Sequence, residues 1–68
     1  MLTHERFAYL AEKYIDTVFR VASSYLKSRE DADDVTQEVF MKLYSVNTVF
    51  ESEEHIRNWL FRVTINQC

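Results

Sequence analysis

The sequence predicts an all-α domain, a three-helix bundle, and three observations carry that prediction. Apolar residues recur at steps of three and four along most of the chain. Each such run follows a hydroxyl residue placed to cap a helix. Neither Gly nor Pro occurs in the 68 residues, so the two strongest helix breakers are missing and only local polarity interrupts the pattern.

Phe7, Leu10, Tyr14, Val18, Ala22 and Tyr25 keep helical spacing, which predicts a first helix from about His4 to Leu26 with Thr3 as its N-cap. Ile15, Phe19 and Leu26 widen its apolar face, so this helix needs more than one packing partner. Ser28 opens Ser28-Arg29-Glu30-Asp31, a capping arrangement with acids where they complement the positive end of the helix dipole. It predicts a second helix from about Arg29 to Tyr44. Ser45 to Glu51 breaks the period, is rich in β-branched and turn-forming residues, and reads as a loop. Ser52, followed by Glu53 and Glu54, is a further N-terminal signature, and Ile56, Trp59, Leu60 and Val63 continue at helical spacing. The third helix therefore starts near Glu53. Its apolar run is unbroken up to Cys68, which leads us to expect a domain, residues 1–68, of a longer protein.

Composition bounds the function. A domain this small buries only about 60% of its unfolded surface, yet 47% of its residues are hydrophobic and ten are aromatic, enough for one core. The net charge of −3 argues against a broad nucleic-acid footprint, so any DNA contact has to be local and selective. One Cys and two His give no ligand cluster with structural-metal spacing, and neither metal nor cofactor is expected. A reduced, cytoplasmic setting fits the lone thiol. No apolar run approaches the roughly 18 to 20 residues of a membrane span, and the N-terminal ten residues lack a signal-peptide core. Asp33, Asp34 and Glu38 are the one carboxylate group that suggests catalysis, but no nucleophile–base pair or phosphate loop accompanies them, so an enzyme is not expected.

The second helix has two organised faces. At about 100° per residue, Ala32, Val35, Val39 and Leu43 form an apolar stripe, while Glu30, Asp34, Gln37, Glu38 and Met41 gather on the opposite side. An acidic helix face is ordinarily a solvated one. Met41 argues otherwise, because an unbranched thioether within a polar face suits a protein interface, and the acids around it suit a basic helical partner. The loop and third helix form a second candidate surface. Phe50 either folds back onto the core or meets a base, and Asn47, Thr48 and Ser52 are equally base-contacting groups and ordinary turn or cap residues. Arg57 and Arg62, about 140° apart on a helix, flank the Trp59 side, with Trp59 itself read as core.

Two segments then resemble a known family. Tyr25-Leu26 followed by Ser28-Arg29-Glu30-Asp31-Ala32-Asp33-Asp34-Val35-Thr36-Gln37-Glu38-Val39-Phe40 is similar to the "YL…(R/E)DAEDxxQExF" segment in region 2 of the extracytoplasmic-function (ECF) group of sigma-70-type RNA polymerase sigma factors. Asn58-Trp59-Leu60-Phe61-Arg62-Val63-Thr64-Ile65-Asn66 is similar to its "TWLYRIARN" segment. Both occur in order, with a loop of suitable length between them. The resemblance implies sigma factor activity in transcription initiation. It implies docking on the β′ clamp helices of core RNA polymerase through Asp34, Gln37 and Glu38, with Asp33 and Met41 nearby. It also implies recognition and opening of the promoter minus-ten element as single-stranded DNA, through Asn47 to Ser52, Phe50 included, and through Arg57, Arg62 and Asn66. An anti-sigma factor is a further implied partner.

Two departures from the family pattern qualify this. The segment Phe50-Glu51-Ser52-Glu53-Glu54 is unusually acidic for a surface that meets phosphates, so weak DNA binding by the free domain is expected. Within residues 1–68 the family's preceding short helix is expected to be absent or vestigial, and no segment here is expected to be the region 4 that reads the minus-thirty-five element. The rival readings are a helical interaction module, which binds polymerase or an anti-sigma factor without reading DNA, and a duplex-binding helix-turn-helix. Helix three is too apolar for the latter, whose recognition helix presents basic and amide side chains to a major groove.

Overall fold

The computed structural model describes residues 2–68. Three helices make up its regular structure, α1 His4–Tyr25, α2 Arg29–Ser45 and α3 Glu53–Gln67, and each packs against the other two. Their starts lie where the sequence places them, because the three hydroxyls do the capping. Thr3 Oγ1 accepts from the Arg6 N–H at 3.1 Å, Ser28 Oγ from the Asp31 N–H at 3.4 Å, and Ser52 Oγ from the His55 N–H at 3.1 Å. Each such cap contributes about 1 kcal/mol. No described residue has a positive φ, so the helices do not end in the left-handed conformation that glycine favours. Instead Leu26 and Val46 simply turn extended, at φ −115° and −69°, while their N–H groups still bond Ala22 O and Lys42 O.

The core runs along the centre of the bundle: Leu10, Tyr14 and Val18 from α1, Val39, Phe40 and Leu43 from α2, and Ile56 and Leu60 from α3. Leu10, Val18, Leu43 and Leu60 are completely buried, each contributing about 1.5–3 kcal/mol by leaving water. Ala22 and Ala32 are equally inaccessible, small residues on either side of the short connection 26–28 between α1 and α2.

The buried arc of α2 differs from the predicted stripe. Val35 is only partly buried, while Thr36 and Phe40 join Ala32, Val39 and Leu43 inside. Phe40 is drawn in because α2 faces both α1 and α3, which widens its apolar arc beyond a single stripe. Thr36 is admitted because its Oγ1 donates to Ala32 O at 2.8 Å, and Thr64 on α3 does the same to Leu60 O at 2.6 Å. A hydroxyl spent on its own helix behaves toward its neighbours much as a methyl group would. On α1, Tyr25 is 59% exposed although its spacing is right, since it lies in the final turn beyond the last buried residue, Ala22. Ile15 is also exposed, for a reason that belongs to the surface described next. Trp59 is half-buried and packed against the core, rather than fully within it.

Candidate partner-docking and nucleic-acid surfaces

The polar face of α2 is presented as expected: Asp33, Asp34, Gln37, Glu38 and Met41 are all exposed, Met41 to 69%. What periodicity did not reveal is the open groove beside them. About 840 Å³ of space lies between α1 and α2, lined by Phe7, Ala11 and Ile15 on one side and Gln37, Met41 and Tyr44 on the other. Ile15 and Tyr44 are exposed because they wall this groove. Phe7 and Tyr44 meet across it in an edge contact, ring centres 4.9 Å apart. Tyr44, one turn beyond Met41, was the available signal. The surface is thus an apolar slot whose lining carries Glu38 and Lys42 and beside which the exposed Asp33 and Asp34 stand on α2, a shape that suits an amphipathic helix. The rim formed by these polar side chains is also tied to the end of α3. Gln67 Nε2 donates to Glu38 Oε2, and Lys42 Nζ donates to Gln67 Oε1 at 2.7 Å. Gln67 attracted no attention in the sequence, and nothing local marks it.

The second surface joins the connection 46–52 to α3. Asn47 and Thr48 are exposed and Val49 is 85% exposed. Phe50 folds back: it is half-buried against the core, with edge contacts to His55 at 5.1 Å and Trp59 at 5.8 Å between ring centres. It forms a wall rather than an open platform. Ser52 is committed to capping α3, and the Glu51 N–H donates to His55 Nδ1 at 3.2 Å. Arg57, Arg62 and Asn66 are exposed on α3, but the two arginines do not flank the Trp59 side. At about 100° per residue the face between them carries Phe61 and Ile65, with Asn58 alongside and Trp59 turned away. Ile65 is 46% exposed, and the Arg57 guanidinium lies 6.0 Å from the Phe61 ring centre. An apolar ridge edged by guanidinium and amide groups suits unstacked bases and their phosphates.

Glu53 corrects the picture of a uniformly repulsive loop. Its carboxylate accepts the Tyr14 hydroxyl at 2.7 Å, bonds the Lys13 ammonium, and lies 3.5 Å from Arg6 Nη2. Lys13 also donates to the Tyr9 hydroxyl at 3.2 Å. The hydrogen bond from Lys13, followed by that from Tyr14, lowers the Glu53 carboxyl to about 2. The same contact with Glu53 raises the Lys13 ammonium and the Tyr14 phenol above their usual ranges, in Tyr14 with help from burial. Both ion pairs among the described residues end on Glu53, and Arg57 and Arg62 take part in neither. Among those residues, no group of three or more His, Cys, Asp or Glu is arranged to hold a metal ion. No described helix is long and apolar enough to cross a membrane.

The sequence that builds this three-helix scaffold has relatives among known proteins. Residues 10–68 match the Sigma-70 region 2 family, and the chain belongs to that family. Over 60 residues it is 35% identical to the ECF RNA polymerase sigma-E factor of Haemophilus influenzae, an alignment that covers 88% of this chain and 31% of that protein. The chain therefore spans about a third of the length of that curated relative. No solved structure matches it significantly.

Proposed function

We propose that this domain serves transcription initiation as region 2 of an ECF-type sigma factor, binding core RNA polymerase and taking the promoter minus-ten element as single-stranded DNA. It catalyses nothing itself. On this reading the α2 face of Asp33, Asp34, Gln37, Glu38 and Met41 docks on the β′ clamp helices, whose basic and apolar side chains meet the rim and the groove respectively. Asn47 and Thr48 contact a base held against the Phe50 wall, and Arg57, Arg62 and Asn66 follow the non-template strand along α3. Binding energy from captured bases offsets part of the cost of strand separation. Ser52 contributes by holding the loop's end rather than by touching DNA.

The observation that carries this reading is the separation of two exposed surfaces on one scaffold within the Sigma-70 region 2 family. An acidic, apolar surface suits a protein, and a surface with free arginines suits a strand. Packing of Phe50 on His55 and Trp59 favours a second reading, in which the domain binds polymerase or an anti-sigma factor and leaves DNA alone. Binding of the polymerase complex to a single-stranded minus-ten oligonucleotide and to the same sequence as duplex separates the two. Stacking on an aromatic contributes about 1–3 kcal/mol per base, so the single strand should bind more tightly and Phe50→Ala should remove much of that preference. Equal binding of both forms, unchanged in Phe50→Ala, would establish the second reading.

A further inference from the structure

Glu53 is the first residue of α3 and directly follows the connection 46–52. Among the described residues, the backbone of that connection donates two hydrogen bonds, from Val46 to Lys42 O and from Glu51 to His55 Nδ1. Its pose therefore depends on how its ends and its apolar side chains are held. Phe50 secures the middle by packing on His55 and Trp59. The far end is secured by Glu53, whose carboxylate reaches donors on α1 that lie 39 and 40 positions earlier, Tyr14 and Lys13. The Arg6 guanidinium forms an ion pair with the other carboxylate oxygen at 3.5 Å.

We propose that Glu53 is a positioning residue for base capture: clasped by Lys13 and Tyr14, it fixes the end of the loop against α1 and so sets the pose in which Asn47, Thr48 and the Phe50 wall meet an unpaired base. The inference rests on the reading of this loop as the promoter-binding segment. It separates Glu53 from its neighbours Glu51 and Glu54, which are exposed and have no ion-pair partner among the described residues. An acid that only repels phosphates and an acid that positions the loop predict opposite signs for the same substitution.

The test uses the full sigma factor bound to core polymerase, with a fluorescent single-stranded minus-ten oligonucleotide and its duplex as probes. Glu54→Gln should strengthen single-strand binding at low salt, an effect that fades as salt screens the repulsion. Glu53→Gln makes the same change of charge one position earlier and should weaken it. Stacking of a captured base contributes between about fivefold and a hundredfold in affinity, so a misplaced wall should cost about fivefold or more. Tyr14→Phe alters no charge and should weaken binding in the same direction. Lys13→Met should follow it, while Lys13→Arg, which can still reach the carboxylate, should restore most of the affinity. Val18→Ala, a core variant matched for lowered melting temperature, should retain the preference for single strand, which separates positioning from general loss of stability. Should Glu53→Gln fail to fold, the Tyr14 and Lys13 variants carry the test alone. Tighter binding by Glu53→Gln, as in Glu54→Gln, or an unchanged preference in Tyr14→Phe and Lys13→Met would overturn the positioning role while leaving the loop's role intact. A wild-type complex without preference for single strand would overturn both.

Discussion

Replacing Met41 by alanine tests the docking surface most directly, because the side chain contributes little to the fold and much to any partner that covers it. A methionine taken wholly out of water contributes about 1.5–3 kcal/mol. Met41 retains 69% of its exposure, so roughly two thirds of that sum, about 1–2 kcal/mol, is still available to a partner. Met41→Ala should therefore raise Kd for the β′ clamp-helix hairpin by about fivefold to thirtyfold. Stability should change by no more than about 0.5 kcal/mol, as for other surface substitutions. Calorimetric titration of the hairpin reads the first quantity, and thermal unfolding followed by circular dichroism reads the second. Val49→Ala is the matched control, since Val49 is the more exposed residue at 85% but lies on the loop. An affinity for the hairpin that falls equally in both variants, or in neither, would refute the assignment of the groove and its rim.

Trp59 is half-buried and meets Phe50 edge-on at 5.8 Å, so Trp59→Ala should destabilise by about 2–3 kcal/mol, less than the roughly 3–5 typical of a fully enclosed aromatic. A urea melt coincident with that of the wild type would remove its packing role. Acid should loosen the contact between α1 and α3. The Glu53 carboxyl is lowered from 4.5 to about 2 in the fold, chiefly by Lys13, so its contribution is fully present above about pH 4.5 and is lost as pH falls from there toward 2. Melting temperatures over that window should fall more steeply for the wild type than for Glu53→Gln. Parallel curves would show that the clasp contributes nothing.

The elements themselves were legible in the sequence because their determinants are local. Thr3, Ser28 and Ser52 cap the helices from within one turn, and the apolar spacing of α1 and α3 selects Leu10, Tyr14, Val18, Ile56 and Leu60. Local reasoning also found the exposed face of α2, since Met41 among acids is visible without knowing what lies opposite. It missed whatever depends on closure of the bundle. Ile15 looks like core on a helical wheel and becomes the wall of a groove only because α1 and α2 leave open space between them there. Glu53 looks like one of three repelling acids until α1 brings Lys13 and Tyr14 against it. Phe50 left two readings open, and only its meeting with His55 and Trp59 decides its place. Thr36 was passed over because polarity is assigned per residue, whereas burial depends on whether the hydroxyl already has a partner.

The two fully buried alanines at the turn between α1 and α2 bear on the groove at the other end. Ala22 and Ala32 stand equally far from Lys27, on helices that run back past each other until Phe7 meets Tyr44. Both side chains are buried where the two helices leave the connection 26–28. At 1.5 Å per residue Ile15 and Met41 lie roughly 10–14 Å along their helices from Ala22 and Ala32, and a larger side chain at either alanine should push the helices apart at the turn. Two residues outside the groove's lining thereby bear on the spacing of the helices that form it.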